Sequence, residues 1–259
     1  MTTTPHEPAG SLASTTMVER TVLILRVFER SAALLSLGQV AARSGLPRSS
    51  VHRILQQLVE ARWLERLDTD YRLGLRMFEI GSLVAHRNRV SSASRPLMQE
   101  LCSSTGHVVH LAILDERDVV YLEKVGGALA NQMPSRVGGR LPAHCTGVGK
   151  ALLAYSPRPV VEEYLAGGLA PRTTSTISSE EEFEAEMARI RGTGYATELG
   201  ESMPGMACGA APILEAGNAI AAISVSGPRQ HVDVDAMKHR IMWAAAEISR
   251  AIASAPRLG

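Results

Sequence analysis

Residues 35–66 read LSLGQVAARSGLPRSSVHRILQQLVEARWLER, and this stretch decides the fold of the front of the chain. Ser36 and Gln39 have the spacing of a capping box, which predicts a helix over residues 37–44 that ends at Gly45. Pro47 favours the first turn of a second helix. Four apolar residues of that helix recur at helical spacing: Val51, Ile54, Leu55 and Leu58. The stretch therefore predicts two helices packed across a tight turn, a helix-turn-helix.

The polar face of the second predicted helix suits the major groove of DNA. Its side chains are polar and short enough at the helix start to reach base edges, and arginines stand near it for phosphates. The predicted DNA-binding residues are Arg43, Arg48, Ser49, Ser50, His52, Arg53 and Gln56, with Arg62 as a further phosphate contact. Strands at 63–66 and 71–73 are expected to follow, around a tip whose two aspartates oppose a phosphate contact. The alternative is a small helical module for protein–protein association.

The composition is that of a globular protein without disulfide bonds. Of 259 residues, 45% are hydrophobic and 20% charged, which excludes a disordered or fibrous chain. The three cysteines, Cys102, Cys145 and Cys208, are too widely spaced for a zinc ribbon and suit a reducing cytosol. No apolar run approaches the roughly 18 residues of a membrane span, and no secretory signal is visible at the start. We therefore expect a cytoplasmic protein with no membrane partner.

Charge is distributed unevenly along the chain. The net charge is +1 overall, but residues 1–92 contain twelve arginines, no lysine and eight acidic residues, a net charge of +4. Residues 93–259 carry a net charge of −3. A basic front half weakly favours an anionic partner on that side.

The order of predicted elements indicates an α+β fold class. Residues 1–16, rich in Thr, Ser and Pro, are expected to form a disordered tail, and residues 18–30 a first helix. A helical stretch at 74–89 has exposed apolar residues that require a partner. The back half begins with a helix at 95–104 and ends with one at 235–253. Between them the patterns predict strands and helices that together make an antiparallel sheet with helices on it: strands 108–114, 119–125, 195–199, 208–213 and 220–226, and helices 146–155, 159–165 and 179–191.

Three segments resemble catalytic motifs but lack what the chemistry needs. Residues 147–151 read GVGKA, without the first glycine and the hydroxyl residue of a phosphate loop, and residues 200–205 do not fit G-x-S-x-G. The acidic run at 180–182 suits a helix start. His144 and Cys145, adjacent in a strand, point to opposite faces and make a poor metal site. We expect no catalytic residue, no metal and no cofactor.

The same back half favours a ligand pocket instead. Gly147 and Gly149 at a predicted helix start leave amides open to an anionic or carbonyl group. Ser224 and Ser226, two apart on a strand, offer hydroxyls on one side. Met133 and Cys208 are candidate apolar wall residues, although each of these side chains also suits an ordinary core.

Taken together, these motifs resemble the IclR family of bacterial transcriptional regulators. The front stretch, with YRLG at 71–74, resembles its winged helix-turn-helix. The resemblance covers residues 17–252 and continues through four segments of the back half: VVHLAILDERDVVYLEKV (108–125), SRVGGRLPAHCTGVGKALLA (135–154), ARIRGTGYATE (188–198) and AAISVSGP (221–228).

The resemblance implies a domain order and a set of partners. It implies a winged helix-turn-helix DNA-binding domain at 17–74, a connecting helix at 75–92 and an effector-binding domain of GAF-like fold at 93–259. The partners implied are double-stranded DNA with an inverted-repeat operator, a small-molecule effector, and further copies of the chain in a homodimer or homotetramer. Effector contacts are implied at Met133, Gly147, Val148, Glu198, Cys208, Ser224 and Ser226, to which the helix-start argument adds Gly149.

The expected function is a ligand-responsive regulator of a catabolic operon, with a small aromatic or acyl effector. Family members commonly have two aspartates where this chain has Glu198 and Leu199. An ionised Glu198 would repel a simple carboxylate but accept a hydrogen bond from a ligand hydroxyl or N–H. The alternatives are a small-molecule enzyme or a ligand-binding protein whose helix-turn-helix only mediates association.

Overall fold

The computed structural model describes residues 16–29, 34–86, 89–127, 130–131, 133 and 135–255. The chain forms two compact units that divide in sequence between Val84 and Ala85. Of the expected tail at 1–16, only Thr16 is among the described residues. Residue 30, at the end of the first predicted helix, also lies outside the described residues. Within the described ranges, no helix has both the length and the apolar character needed to cross a membrane.

The front unit begins with three helices: α1 (Met17–Glu29), α2 (Leu37–Ser44) and α3 (Arg48–Glu60). The predicted capping box is confirmed, because Ser36 Oγ accepts from the Gln39 amide and Gln39 Oε1 from the Ser36 amide. Gly45 ends α2 in the left-handed conformation with φ 70°, which costs glycine little. These local signals fix both ends of α2 and set the turn into α3.

A shared apolar core holds these helices together. The four α3 residues predicted to face inward are buried, and they pack against Ile24 and Phe28 of α1 and Val40 of α2. Each such side chain contributes roughly 1.5–3 kcal/mol by leaving water. The core faces of the helices therefore follow the sequence pattern.

The front unit ends with a three-stranded sheet and a helix. Strands β1 (Leu35–Ser36), β2 (Leu64–Leu67) and β3 (Asp70–Leu73) are antiparallel in the order β1-β3-β2. The two residues of β1 are too few to show a strand period, so the sequence did not predict this strand. Helix α4 (Leu75–His86) follows, and exposes Leu75, Phe78, Leu83 and Val84.

The back unit is an antiparallel sheet of six strands with helices on both faces. Helix α5 (Arg89–Thr105) begins earlier than the predicted residue 95 and contains Pro96. The sheet order is β6-β5-β4-β9-β8-β7. The strands are β4 (Val108–Asp115), β5 (Asp118–Val125), β6 (Arg140–Pro142), β7 (Ala196–Leu199), β8 (Met206–Glu215) and β9 (Asn218–Pro228). The α+β class with an antiparallel sheet is thus confirmed, while the short edge strand β6 was not predicted.

The two faces of this sheet carry different side chains. On one face, Leu111, Ile223 and Val225 pack against α5 and against α9 (Val234–Ser254). The other face bears small residues, among them Ala112 and Ala210. Because these side chains are short, a layer of helices can approach closely there: α6 (Gly147–Ala154), α7 (Arg158–Ala166) and α8 (Glu180–Thr193). The small-residue face also leaves space for a cavity.

Candidate functional site

The outer face of α3 presents the predicted DNA-binding side chains to solvent. Arg48, Ser49, His52, Arg53 and Gln56 are exposed on α3, and Ser50 is half-buried. Arg43 is exposed near the end of α2. Val51 and Leu55 on the opposite face are completely buried. Packing therefore fixes the orientation of α3, and its polar face can contact a partner.

The hairpin of β2 and β3 offers fewer free cations than its sequence indicates. Arg72 forms an ion pair of 2.7 Å with Glu65. Arg66 Nε donates to the carbonyl of Asp68 at 2.8 Å, across a turn in which Asp68 has φ 52°. Both arginines therefore bind groups of the hairpin itself. Like the two aspartates at its tip, this disfavours a contact between the hairpin and a phosphate.

The back unit contains a cavity of about 140 Å³ on the small-residue face of the sheet. Seven of the eight residues predicted for the effector site line it: Met133, Gly147, Val148, Glu198, Cys208, Ser224 and Ser226. That they bind an effector stays a prediction. Residues as far apart in sequence as Met133 and Ser226 are brought together by strand pairing and by the docking of α6.

Strand register explains why polar side chains share this wall. Glu198 lies opposite Cys208, Cys208 opposite Ser226, and Ser224 opposite His110. Directly paired residues point to the same face of a sheet. Burial raises the pKa of the Cys208 thiol to about 11, so the thiol is an uncharged part of the wall.

His110 is a neutral member of the cavity wall. It is 2% exposed, and burial, followed by the charge of Lys124, lowers its pKa to about 3. Its Nε2 lies 2.8 Å from Ser135 Oγ. Lys124 also donates to the carbonyl of Ala130 at 2.7 Å and to that of Met133 at 3.3 Å. These bonds hold the segment that carries Met133 against β5.

Glu198 places a carboxyl group in the wall. It is 3% exposed, and its Oε1 accepts from the Ser202 amide at 3.0 Å. Burial raises the pKa of this carboxyl group, an effect that the Ser202 hydrogen bond opposes. The group can therefore accept a hydrogen bond from a ligand when ionised and donate one when protonated.

A buried charge cluster lies beside the cavity, under the turn that carries Ser202. Lys150 on α6 is 2% exposed, and its Nζ lies 2.5 Å from Glu201 Oε1 and 3.2 Å from Glu186 Oε1. Burial raises the pKa of Glu201, and its Oε2 has no hydrogen-bond partner among the described residues. The Lys150 cation compensates two carboxylates, so removing it would leave both poorly solvated.

Gly149 lies away from the cavity wall, which corrects the expectation that its amide is open to a ligand. That amide donates to Thr146 Oγ1 at 3.1 Å and caps α6. A Cβ at residue 149 would lie 2.2 Å from the carbonyl oxygen of Ala143. Gly147 does reach the cavity, and a Cβ there would lie 2.8 Å from Cys208 Sγ. The two glycines are thus needed for close approach, at Gly149 to a turn and at Gly147 to β8.

His144 and Cys145 lie in a buried 3₁₀ turn (Ala143–Cys145) and serve structure. His144 Nδ1 lies 2.9 Å from the Tyr164 hydroxyl, and Nε2 lies 3.0 Å from the carbonyl of Ala170. Among the described residues no group of three or more His, Cys, Asp or Glu side chains is arranged to hold a metal ion.

Several wall residues were not found from the sequence, because only tertiary contacts bring them to the cavity. They are His110, Tyr121, Ser135, Leu141, Thr146, Arg172, Ser202, Met203, Met206 and Ala207. His110 lies on an alternating strand, as Ser224 does. Its position in the cavity could be predicted only if the pairing of β4 with β9 were known. Arg172 lies in a loop with no periodic signal.

Both units match known protein families. The model of the IclR helix-turn-helix domain matches residues 17–68, and that of the C-terminal domain of bacterial IclR transcriptional regulators matches residues 82–254. The XynR regulator of Escherichia coli is 32% identical over 91% of this chain and 96% of its own length. The AllR repressor of Salmonella typhi is also 32% identical, over 84% of this chain and 82% of its own length.

Solved structures agree with these matches. An IclR homolog from Microbacterium hydrocarbonoxydans, complexed with 4-hydroxybenzoate, has a TM-score of 0.83 at 29% identity and covers 93% of this chain and 100% of its own. Thermotoga maritima IclR has a TM-score of 0.75 at 28% identity, over 90% of this chain and 97% of its own. The chain belongs to the IclR family of bacterial transcriptional regulators, which bind DNA through a helix-turn-helix and are not enzymes.

Proposed function

We propose that this protein is a repressor of a catabolic operon whose affinity for an inverted-repeat operator changes when a small aromatic or acyl carboxylate binds in the cavity. The observation that carries the proposal is the cavity itself, which seven residues predicted for effector binding line. An effector that prefers one conformation of the back unit would shift the equilibrium of the whole protein and hence its operator affinity.

The effector class follows from the chemistry of the wall. Tyr121, Met133 and Val148 supply apolar surface, and the Ser224 and Ser226 hydroxyls supply hydrogen bonds. Glu198 accepts from a ligand donor. The 4-hydroxybenzoate in the Microbacterium homolog combines an aromatic ring, a carboxylate and a hydroxyl, and we propose a ligand of that chemistry here.

The proposed DNA reader is α3, with Arg43 of α2 near the phosphates. We propose a winged helix-turn-helix domain at 17–74, a connecting helix at 75–92 and an effector domain of GAF-like fold at 93–259. A single helix-turn-helix offers few base contacts, so selective binding requires two half-sites and at least a homodimer. As a regulator of bacterial transcription, the protein would act in the cytoplasm.

Fluorescence anisotropy of the full chain with duplex DNA from upstream of its own gene tests this function. We expect the logarithm of the affinity to fall linearly with the logarithm of the salt concentration, because phosphate contacts release counterions. We expect 4-hydroxybenzoate to change the operator affinity by about five- to 150-fold. Equal affinity for this duplex and an unrelated one at matched salt would contradict the proposal, and so would an operator affinity that no aromatic or acyl carboxylate changes.

A further inference from the structure

Arg172 supplies the cavity wall with its one permanent positive charge among the described residues. Of the basic side chains that line the cavity, His110 is neutral because its pKa is about 3. Arg172 lies in the loop between α7 and α8, and the residue is exposed. Its guanidinium has no hydrogen bond or ion pair with any described residue, whereas other arginines of this unit, such as Arg95 and Arg158, are paired with glutamates. An unpaired guanidinium at the edge of a cavity is available to a ligand.

The charge of Arg172 acts on the buried turn that contains His144 and Cys145. Burial raises the pKa of the Cys145 thiol to about 12, and Arg172 opposes that rise. Burial also lowers the pKa of His144, and the charge of Arg172 lowers it further. The Arg172 guanidinium is therefore close enough to this turn for its charge to act on both side chains.

The backbone at Arg172 is fixed by the same turn that positions Glu198. Thr176 Oγ1 accepts from the Arg172 amide at 3.1 Å and donates to the Glu201 carbonyl at 2.7 Å. The next residue of that turn, Ser202, donates its amide to Glu198. A cation and a carboxyl group are thus held on one framework, yet they do not pair with each other. The Arg172 guanidinium can therefore bind an anionic group of a ligand, and the Glu198 carboxyl group can bind a hydrogen-bond donor of the same ligand.

We propose that Arg172 is the specificity-determining residue of the cavity and selects anionic effectors by pairing with their carboxylate. The proposal rests on the proposed function, since it assumes an effector in this cavity. An ionised Glu198 would repel a ligand carboxylate that lay beside it. In this proposal the ligand carboxylate lies at Arg172, and a hydroxyl or N–H of the ligand donates to Glu198. A guanidinium binds a carboxylate through two parallel hydrogen bonds, which an uncharged amide cannot reproduce.

Calorimetry on the full chain with 4-hydroxybenzoate and its uncharged analogue 4-hydroxybenzamide tests this role. Arg172→Gln should weaken binding of the carboxylate by about tenfold or more and leave the affinity for the amide within about twofold. Arg172→Lys should restore part of the lost affinity, because it restores the charge without the planar fork. Arg250→Gln is the matched control: it removes an exposed arginine of α9 that pairs with Glu247, and it should change neither affinity.

The outcomes separate this proposal from the proposed function. If Arg172→Gln loses the same factor for both ligands, or for neither, Arg172 does not select the anion, although the cavity can still be the effector site. If neither ligand binds the wild-type chain, the effector class itself is wrong and the role of Arg172 falls with it. Circular dichroism and the urea midpoint should match those of the wild type in both Arg172 variants, since the Arg172 side chain has no hydrogen bond or ion pair with a described residue to lose.

Discussion

The pKa values of single residues around the cavity depend on burial and not on the residues next to them in sequence. Glu198 is the clearest case, because a carboxyl group of 3% exposure on β7 accepts from the Ser202 amide while burial opposes its charged form. The folded state therefore favours its protonated form, as the raised pKa records. Stability contributed by a raised carboxyl pKa is fully present below the pKa of the unfolded chain and is lost as the pH rises through the folded pKa.

Glu198→Gln should raise the free energy of unfolding at neutral pH. The amide keeps the carbonyl oxygen that accepts from Ser202 and removes the buried charge. Urea unfolding followed between pH 4.5 and 8 should show the stability of the variant relative to the wild type rising with pH, because the pH dependence contributed by Glu201 and by His110 is the same in both chains. A variant less stable than the wild type at pH 7 would contradict this account.

Gly149→Ala should destabilise the back unit by about 1–3 kcal/mol, the cost of overpacking, because its Cβ would meet the backbone of Ala143. The matched control is Gly192→Ala in α8, where no atom lies within 4 Å of the new Cβ. That change should stabilise the helix by up to about 1 kcal/mol. Equal urea midpoints for the two variants would show that the contact at residue 149 is not tight.

At the scale of elements, α3 combines a buried and an exposed face. Four buried apolar residues fix its orientation, so polar residues on the other face can change without loss of the fold. The hairpin beside it has its arginines engaged internally. Sequence-specific contacts are thus expected from α3 and not from the hairpin.

Arg53→Ala should weaken specific operator binding by about 1–3 kcal/mol while the thermal midpoint stays unchanged. Arg26→Ala removes the same charge from the exposed surface of α1 and should have a smaller effect. Anisotropy titrations at one salt concentration compare the two. Should Arg53→Ala bind the operator as tightly as the wild type, α3 would not be the reader.

At the scale of the whole molecule, α4 carries apolar side chains that its own unit leaves in solvent. Phe78 is 72% exposed and Val84 is 71% exposed, and Leu75 and Leu83 are also exposed. Neighbouring apolar side chains of this size rarely stay in water unless a partner covers them. We expect a second copy of the chain to cover these side chains of α4.

Phe78→Asp should shift the protein toward the monomer and weaken operator binding, because the charge would have to be buried in the interface. Arg250→Gln, an exposed change on α9, should leave both properties unchanged. Sedimentation velocity at micromolar concentration measures the mass. A wild-type monomer with full operator affinity would rule out the interface.

Local structure in the front unit follows from signals that lie within a few residues of one another. A capping box at Ser36 and Gln39, a C-terminal Gly45 and the spacing of Val51, Ile54 and Leu58 are short-range signals, and the structure follows them. The resemblance to a family added the wall residues predicted for the back unit. It gave the residue numbers of this wall but not the side chains that each residue contacts.

Tertiary structure alone decided how those positions work together. The sheet order places β4 beside β9, which brings His110 to Ser224, and the loop between α7 and α8 carries Arg172 to the same cavity. Gly149 shows the reverse case, because a helix start that looked open is filled by Thr146 and Ala143. The physical reason is that capping and helical periodicity act within a few residues, whereas burial and pKa shifts depend on side chains from distant parts of the chain.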